Sequence, residues 1–229
     1  MGTQPLSPMV IRLCASLLLL VLAACSGEYR GPSGFEVYNA YDRPATRPSD
    51  PAAVRVKVST SRQRAYVMEG DKMLLAMPVS VGAPDTPTPL GDFRVTRKDR
   101  DHRDPENGFA YSGSKTKKTP RHKKPAGWAF KGHPLPYWVE FRPGYGFHAG
   151  WIKHVTTTNG SIRVHHNLAP KFYVLVRKGT PINISTSQPE DADFADIPLP
   201  PDAGPMPDFP AEFYLGDEAF SYHKEPSFE

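Results

Sequence analysis

The sequence predicts a mainly β domain, a small sandwich or barrel with short helices, flanked by segments of low order. Three observations support this fold class. Val54, Val56 and Val58 alternate with polar residues, which is the period of a half-buried strand. Residues 69–72 (Glu-Gly-Asp-Lys) separate two apolar runs and are typical of a hairpin turn. No long stretch of the sequence repeats its apolar residues with the 3.6-residue period of a helix.

The predicted strands begin at Val54 and continue to a closing strand near residue 184. Each run is rich in β-branched or aromatic residues, which favour the pleated surface of a sheet. We predict strands over residues 54–58, 65–68, 73–81, 91–95, 137–141, 161–164 and 179–184. Residues 169–175 favour a short helix, although Pro170 and the β-branched residues weaken that prediction. These elements define one globular domain over residues 53–185.

The first residues have the features of a bacterial lipoprotein signal peptide, which we place at residues 1–24. Arg12 supplies a short positive region, and residues 15–22 form a leucine-rich run too short for a membrane span. The following Leu-Ala-Ala-Cys segment matches a lipobox and predicts lipidation of Cys25. The alternative is an ordinary signal peptide with a cysteine near its cleavage site by chance.

Loss of Cys14 with the signal peptide and acylation of Cys25 would leave the mature protein without a thiol or a disulfide. We therefore expect no redox role, no metal-thiolate site and no cofactor. A lipid on Cys25 would make the membrane a partner and place the protein in the cell envelope. Ser26 is not the aspartate associated with inner-membrane retention in enteric bacteria, which favours the periplasmic side of the outer membrane.

The segments on either side of the domain differ from it in composition. Residues 25–52 are rich in Gly, Pro, Ser and Arg, and we interpret them as a tether, the alternative being an arm packed on the domain. Residues 186–229 form an acidic, proline-rich tail for which we expect low order, the alternative indicated by its aromatic residues being that parts of it dock on the core. Residues 97–124 are strongly basic, so we expect the tail to lie over them, the alternative being two solvated charge runs that never meet. An exported protein rarely meets nucleic acid, which we exclude as a partner despite the net charge of +4.

Several short motifs follow one another along residues 54–184. Residues 158–163 read Thr-Asn-Gly-Ser-Ile-Arg, and they resemble the Ser-His-Gly-Cys-hydrophobic-Arg signature of the L,D-transpeptidase (YkuD) family. Four other segments are similar to this family: the hairpin at 63–70, the Thr-Pro-Thr-Pro-Leu-Gly-Asp-Phe run at 86–93, the charged loop at 98–103, and the segments 136–138 and 144–150. The resemblance implies a domain that acts by acyl transfer on peptidoglycan stem peptides.

The resemblance also implies roles for individual residues. Ser161 stands where the family has its nucleophilic cysteine, and Asn159 stands where it has a histidine. His148 corresponds to the general base, and backbone N–H groups around Gly160 and Ser161 correspond to the oxyanion pocket. The implied substrate-binding residues are Tyr137, Trp138, Tyr145 and Arg163.

The two replacements at the centre of the motif leave three functions open. A thiol has a pKa of about 8.5 and can become a thiolate, whereas a serine hydroxyl is a far weaker acid. The first interpretation is a domain that binds stem peptides with lost or weak transpeptidase activity. The second is a serine-dependent acyltransferase or hydrolase that uses Ser161 and His148. The third is a structural adaptor with a vestigial cleft.

A metal site is a further interpretation of the histidines at 154, 165 and 166. These residues have no acidic neighbours at the spacing of metal ligands, so we predict no metal.

Overall fold

The mainly β prediction is confirmed by a computed structural model, which describes residues 34–204, 206, 209–221 and 223–229. The predicted signal peptide and Cys25 lie outside the described residues. The strands are β1 (Val54–Ser59), β2 (Arg64–Glu69), β3 (Lys72–Ser80), β4 (Gly91–Arg94), β5 (Arg97–Asp99), β6 (Arg103–Ser112), β7 (Lys115–Pro120), β8 (Ala129–Pro134), β9 (Trp138–Arg142), β10 (Tyr145–Ala149), β11 (Ile162–Val164) and β12 (Pro181–Ser185). The helices are α1 (Gly34–Ala40), α2 (Ala169–Leu175), α3 (Glu190–Asp193), α4 (Ala211–Leu215) and α5 (Glu218–Ser221), with a 3₁₀ turn at Arg121–Lys123.

Nine strands form one strongly curled sheet in the order β4-β12-β1-β2-β3-β11-β10-β9-β5. The two ends of this sheet approach each other, because the ring of Phe93 on the edge strand β4 lies 5.2 Å from that of Phe141 on β9, the strand next to the other edge. The chain between β4 and β5 completes the closure, since Val95 N–H donates to Thr180 and Thr96 N–H donates to Glu140. The sheet therefore wraps around a single apolar core, which fits the predicted sandwich or barrel.

Side-chain alternation explains why β1 was visible in the sequence. Val54, Val56 and Val58 are buried against the core, while Arg55 and Lys57 face outward. The middle of β2 is buried on both faces instead. On its outer face, Tyr66 and Met68 of β2 form a second apolar cluster with Ala76 of β3 and with Ile197.

The helix predicted over residues 169–175 is confirmed as α2, which packs inside the curl of the sheet. Pro170 is tolerated because it lies in the first turn, where a backbone N–H has no intrahelical partner. Phe172 packs on Phe147 with ring centroids 4.6 Å apart. The half-buried ammonium of Lys98 bonds the carbonyls of Tyr173 and Val176 at the other end of α2, at 2.5 and 2.7 Å.

A smaller sheet, ordered β7-β6-β8, stands beside the main one, and its strands were not among those predicted. β7 has the sequence Lys-Thr-Lys-Lys-Thr-Pro, which lacks the apolar alternation of a half-buried strand. Backbone pairing with β6 and burial of Phe109 and Ala110 hold this hairpin in place.

Residues 34–52 pack on the domain, so the tether interpretation does not describe this part of the chain. Tyr38 is fully buried, and its hydroxyl accepts a 2.8 Å hydrogen bond from the N–H of Ile152. The ammonium of Lys171 on α2, itself buried, bonds Asp42 at 2.8 Å and the Arg43 carbonyl at 2.7 Å. The alternative of a packed arm is therefore correct from residue 34 onward.

The tail also differs from its prediction of low order. It contains α3, α4 and α5, and it buries Ile197, Ala203, Tyr214 and Ala219. Its aromatic residues supply the apolar contacts, as in the alternative of a docked tail. Within the part of the chain that the structure describes, no helix has the length and apolar character needed to cross a membrane.

Candidate functional site

The site predicted from sequence forms on two adjacent parallel strands. β10 and β11 pair so that Phe147 lies beside Ile162 and His148 lies beside Arg163. Phe147 and Ile162 face the core and are fully buried. Because side chains alternate along a strand, His148 and Arg163 project together from the opposite face, on the side of Ser161.

The loop that carries Ser161 is anchored by the Thr-Pro-Thr-Pro segment. Thr86 Oγ1 donates to the Thr158 carbonyl at 2.9 Å, and the Thr88 hydroxyl accepts from Gly82 N–H at 2.9 Å. Gly82 and Thr158 also form an isolated β-bridge. A Cβ at Gly82 would lie 2.2 Å from the Thr86 carbonyl oxygen, so only glycine permits this approach.

Gly160 is required by the same loop for two reasons. Its φ of +99° is a conformation that side chains with a Cβ rarely adopt, and an added Cβ would lie 2.5 Å from the ring of Tyr145. The Gly160 N–H donates to Thr158 Oγ1 at 3.2 Å. In this structure, therefore, the Gly160 N–H predicted as an oxyanion donor is directed to Thr158 instead.

His148 is buried and held in one tautomer. Its Nδ1 lies 2.9 Å from the carbonyl oxygen of Ala149, which can only accept, so Nδ1 carries the hydrogen. The ring stacks on Trp138, whose indole also packs on His102. Burial, reinforced by the charge of Arg163, lowers the pKa of His148 to about 3. The imidazole is therefore neutral at neutral pH, with Nε2 as its basic nitrogen.

Ser161 is half-buried beside this histidine, and its hydroxyl oxygen accepts a long hydrogen bond of 3.4 Å from Gly146 N–H. Among the described residues, no hydrogen bond joins Ser161 to His148. The nucleophile and the base of the predicted pair are thus neighbours on one face of the sheet without the contact that would transfer a proton.

A model of the L,D-transpeptidase catalytic domain family (YkuD) matches residues 53–184, more than half of the chain and nearly all of the β domain. The chain belongs to this family. The match begins one residue before β1 and ends within β12, so it includes both strands of the site and excludes the arm and the tail.

The chain is similar to solved structures of L,D-transpeptidases. An L,D-transpeptidase from Mycobacterium smegmatis has 19% identity, covers 58% of each chain and gives a TM-score of 0.46. L,D-transpeptidase 1 from Mycobacterium tuberculosis has 21% identity, covers 58% of this chain and 61% of its own, and gives a TM-score of 0.41. The chain thus spans about three fifths of the length of these structures. In a comparison with curated proteins, no match was found.

The L,D-transpeptidase-like domain has a cavity of about 610 Å³ beside the site. Four predicted residues line it together: His148, Asn159, Ser161 and Arg163. Asn159 is exposed at its edge, and the Arg163 guanidinium donates to the Trp151 carbonyl at 3.1 Å.

Three predicted substrate-binding residues, Tyr137, Trp138 and Tyr145, do not line this cavity. Tyr137 and Trp138 are both buried, Tyr137 against Tyr173 and Trp138 against His148. Trp138 reaches the histidine across Gly146, where a Cβ would lie 2.8 Å from the indole. It positions the imidazole ring through this packing. Tyr145 packs on Gly160 and so supports the loop of Ser161.

Sequence reasoning missed the rest of the cavity lining. Trp151 follows the His148 segment directly, so its position in the chain was an available signal. Other missed residues include His133 on β8 and the tail residues Phe209, Phe213, Tyr214, Ala219 and His223. The tail residues lie outside the family match, so no motif pointed to them.

His165 and His166 serve packing in the described structure. His165 Nε2 donates to the Tyr38 carbonyl at 3.0 Å, while Nδ1 accepts from Asn167 N–H at 3.2 Å. The two imidazole rings stack 4.1 Å apart. No group of three or more His, Cys, Asp or Glu residues within the described ranges is arranged to hold a metal ion.

Proposed function

We propose that this protein is an envelope lipoprotein whose domain binds peptidoglycan stem peptides and has lost most or all transpeptidase activity. One observation carries the proposal: a hydroxyl at Ser161 stands beside a buried His148 whose pKa is about 3. Family chemistry needs a thiolate and a charged imidazole, and this pair supplies neither at neutral pH. The retained cavity favours binding over a vestigial cleft.

Binding is tested with a charge change in the cavity. Stem peptides carry carboxylates, and Arg163 is a guanidinium that lines the cavity. We expect Arg163→Ala to weaken sedimentation with purified sacculi and titration with a soluble stem peptide by about tenfold, or about 1.4 kcal/mol. Arg177→Ala is the matched control, because Arg177 is exposed and outside the cavity lining. Equal binding by the wild type and Arg163→Ala would count against this site.

Serine-dependent acyl transfer is the second candidate. The hydrogen bond from His148 Nδ1 to Ala149 leaves Nε2 as the nitrogen able to accept a proton, as a general base requires. A substrate would have to bring Ser161 within hydrogen-bond reach of that nitrogen. The low pKa of His148 opposes this chemistry, because a weak base removes a hydroxyl proton poorly.

The lipid anchor is proposed from the sequence, at Cys25 and with the periplasmic side of the outer membrane as the preferred place. We expect Cys25→Ala to move the exported protein from the membrane fraction to the soluble fraction, because two or three acyl chains bind a bilayer essentially permanently. Fractionation of both forms by centrifugation checks this. A wild type that is already soluble after export would refute the anchor.

A further inference from the structure

The tail contributes a wall to the catalytic cavity although it lies outside the family match. Phe209, Phe213 and Tyr214 line the cavity together with Ala219 and His223. The family match ends at residue 184. This wall is therefore an addition to the catalytic domain rather than part of it.

Aromatic packing joins the tail to both sides of the cavity. Tyr214 is buried, stacks on Phe109 of β6 at 5.4 Å and contacts His133 of β8 at 4.9 Å. Phe209 packs on Trp151 at 5.3 Å, across the cavity from β6. Burial of rings of this size is the main source of stabilisation for such a contact.

Two cations of the small sheet hold the carbonyl end of α4. Arg103 donates to the carbonyls of Tyr214 and Gly216 at 2.8 and 2.7 Å, and Lys131 donates to that of Leu215 at 2.5 Å. Helix carbonyls at this end have no intrahelical partner and attract positive charge. Both cations also approach Asp217, but its side chain is almost fully exposed, so those ion pairs contribute little.

Within the basic segment 97–124 that was expected to meet the tail, Arg103 bonds tail carbonyls in the structure. Lys131, which also bonds a tail carbonyl, lies just beyond that segment. The exposed lysines of β7 form no ion pair with any described residue.

The end of the tail is fixed on the arm. Arg47 lies 4.3 Å above the ring of Phe228, and Glu229 N–H donates to the Ala45 carbonyl at 2.8 Å. His223 lies in the sequence between α5 and Phe228, and its ring packs on that of Tyr137 with centroids 5.0 Å apart. The tail is thus a strap attached at the small sheet and at the arm, with the cavity between.

We propose that residues 209–229 are a built-in cover of the catalytic cavity, which must lift before a peptidoglycan strand reaches Ser161. The identity of that polymer rests on the function proposed above, whereas the cover itself does not. A glycan strand bearing stem peptides is larger than a cavity of about 610 Å³. The cover consists of two short helices, α4 and α5, which have little stability of their own and can detach as a unit.

The cover is tested by access to a reporter thiol. The full-length Ser161→Cys chain is treated with N-ethylmaleimide or with a maleimide on a polyethylene glycol of several kilodaltons, and peptide mapping separates position 161 from Cys14 and Cys25. With the tail intact, we expect the small reagent to react and the bulky one to react at least tenfold more slowly. Adding Tyr214→Ala, or deleting residues 209–229, should speed the bulky reagent at least tenfold and the small one less than twofold.

Glu212→Ala is the control, because Glu212 is exposed on the same helix and forms no ion pair with described residues. Tyr214→Ala keeps the test valid if the deletion fails to fold. The proposal is overturned if the bulky reagent reacts equally with intact and opened chains, or if neither reagent reacts with any of them. The labelling needs no peptidoglycan. A failure of the proposed function would appear separately, as absent sacculus binding by both intact and tail-deleted chains.

Discussion

Wild-type protein should form no detectable L,D-transpeptidase crosslinks and no carbapenem adduct, whereas Ser161→Cys should be acylated at least about a hundredfold faster. A thiol of ordinary pKa is a few per cent thiolate at neutral pH, and a serine hydroxyl is not ionised there. Intact mass after incubation with a carbapenem measures the adduct, and muropeptide analysis measures the crosslinks. Ser161→Ala is the control for labelling elsewhere on the chain.

The pH profile of this variant carries further information. His148, with a pKa of about 3, cannot provide the charged imidazole that would stabilise a thiolate near neutral pH. We therefore expect acylation of Ser161→Cys to rise with pH through about 8 to 9, following an unassisted thiol. Acylation that is already maximal near pH 6 would indicate an ion pair and contradict the buried neutral histidine. Robust crosslinking by the wild type, lost in Ser161→Ala, would establish a serine enzyme instead.

Stability should fall steeply as the pH drops from about 7 to about 5, because three buried histidines and the half-buried His223 are held in neutral form. Burial lowers the pKa of His148 to about 3, of His165 to about 4, of His166 to about 2 and of His223 to about 4. In the unfolded chain each of them has a pKa of about 6.5. Between these values the unfolded state binds more protons, so the free energy of unfolding decreases as the pH falls.

Each such histidine contributes a slope of up to about 1.4 kcal/mol per pH unit below pH 6.5. A typical domain is stable by only about 5–15 kcal/mol, so four of them together have a large effect. We expect the urea midpoint to fall by more than half between pH 7 and pH 5. His166→Phe, which keeps a ring between His165 and Tyr38, should flatten this dependence, and exposed His122→Gln should leave it unchanged. A midpoint that is constant over this range would contradict the buried neutral histidines.

Local patterns made much of the β domain readable from the sequence. Val54, Val56 and Val58 predicted β1, because alternate residues of a strand face the same side of the sheet. The loop of Ser161 was readable for a different reason. Its glycine, and the Thr-Pro segment that anchors it, are required by close backbone contacts, and such contacts fix residue types within a short stretch.

The small sheet was not predicted, because its strands are not stabilised by a regular alternation of apolar residues. Lys-rich β7 is held by backbone pairing to β6, and that pairing carries no pattern of side chains. Tyr137 and Trp138 were predicted to bind substrate because their segment resembles the family's approach to its active-site histidine. Their burial is decided by Tyr173 and His148, on other elements, and no local pattern reveals it.

The sequence by itself determined the family and the mainly β fold, and it has a serine, Ser161, where the resemblance implies the nucleophilic cysteine. These follow from the order of residues within short segments. Tertiary structure alone decided the neutral state of His148, the packed arm and the tail across the cavity. The neutral state of His148 depends on its burial and on Arg163 of the neighbouring strand β11, and Arg103 binds a tail carbonyl 111 residues away. Contacts at such separations leave no periodic signal, because each partner lies in a proline-rich or charged segment that has no reason to be ordered alone.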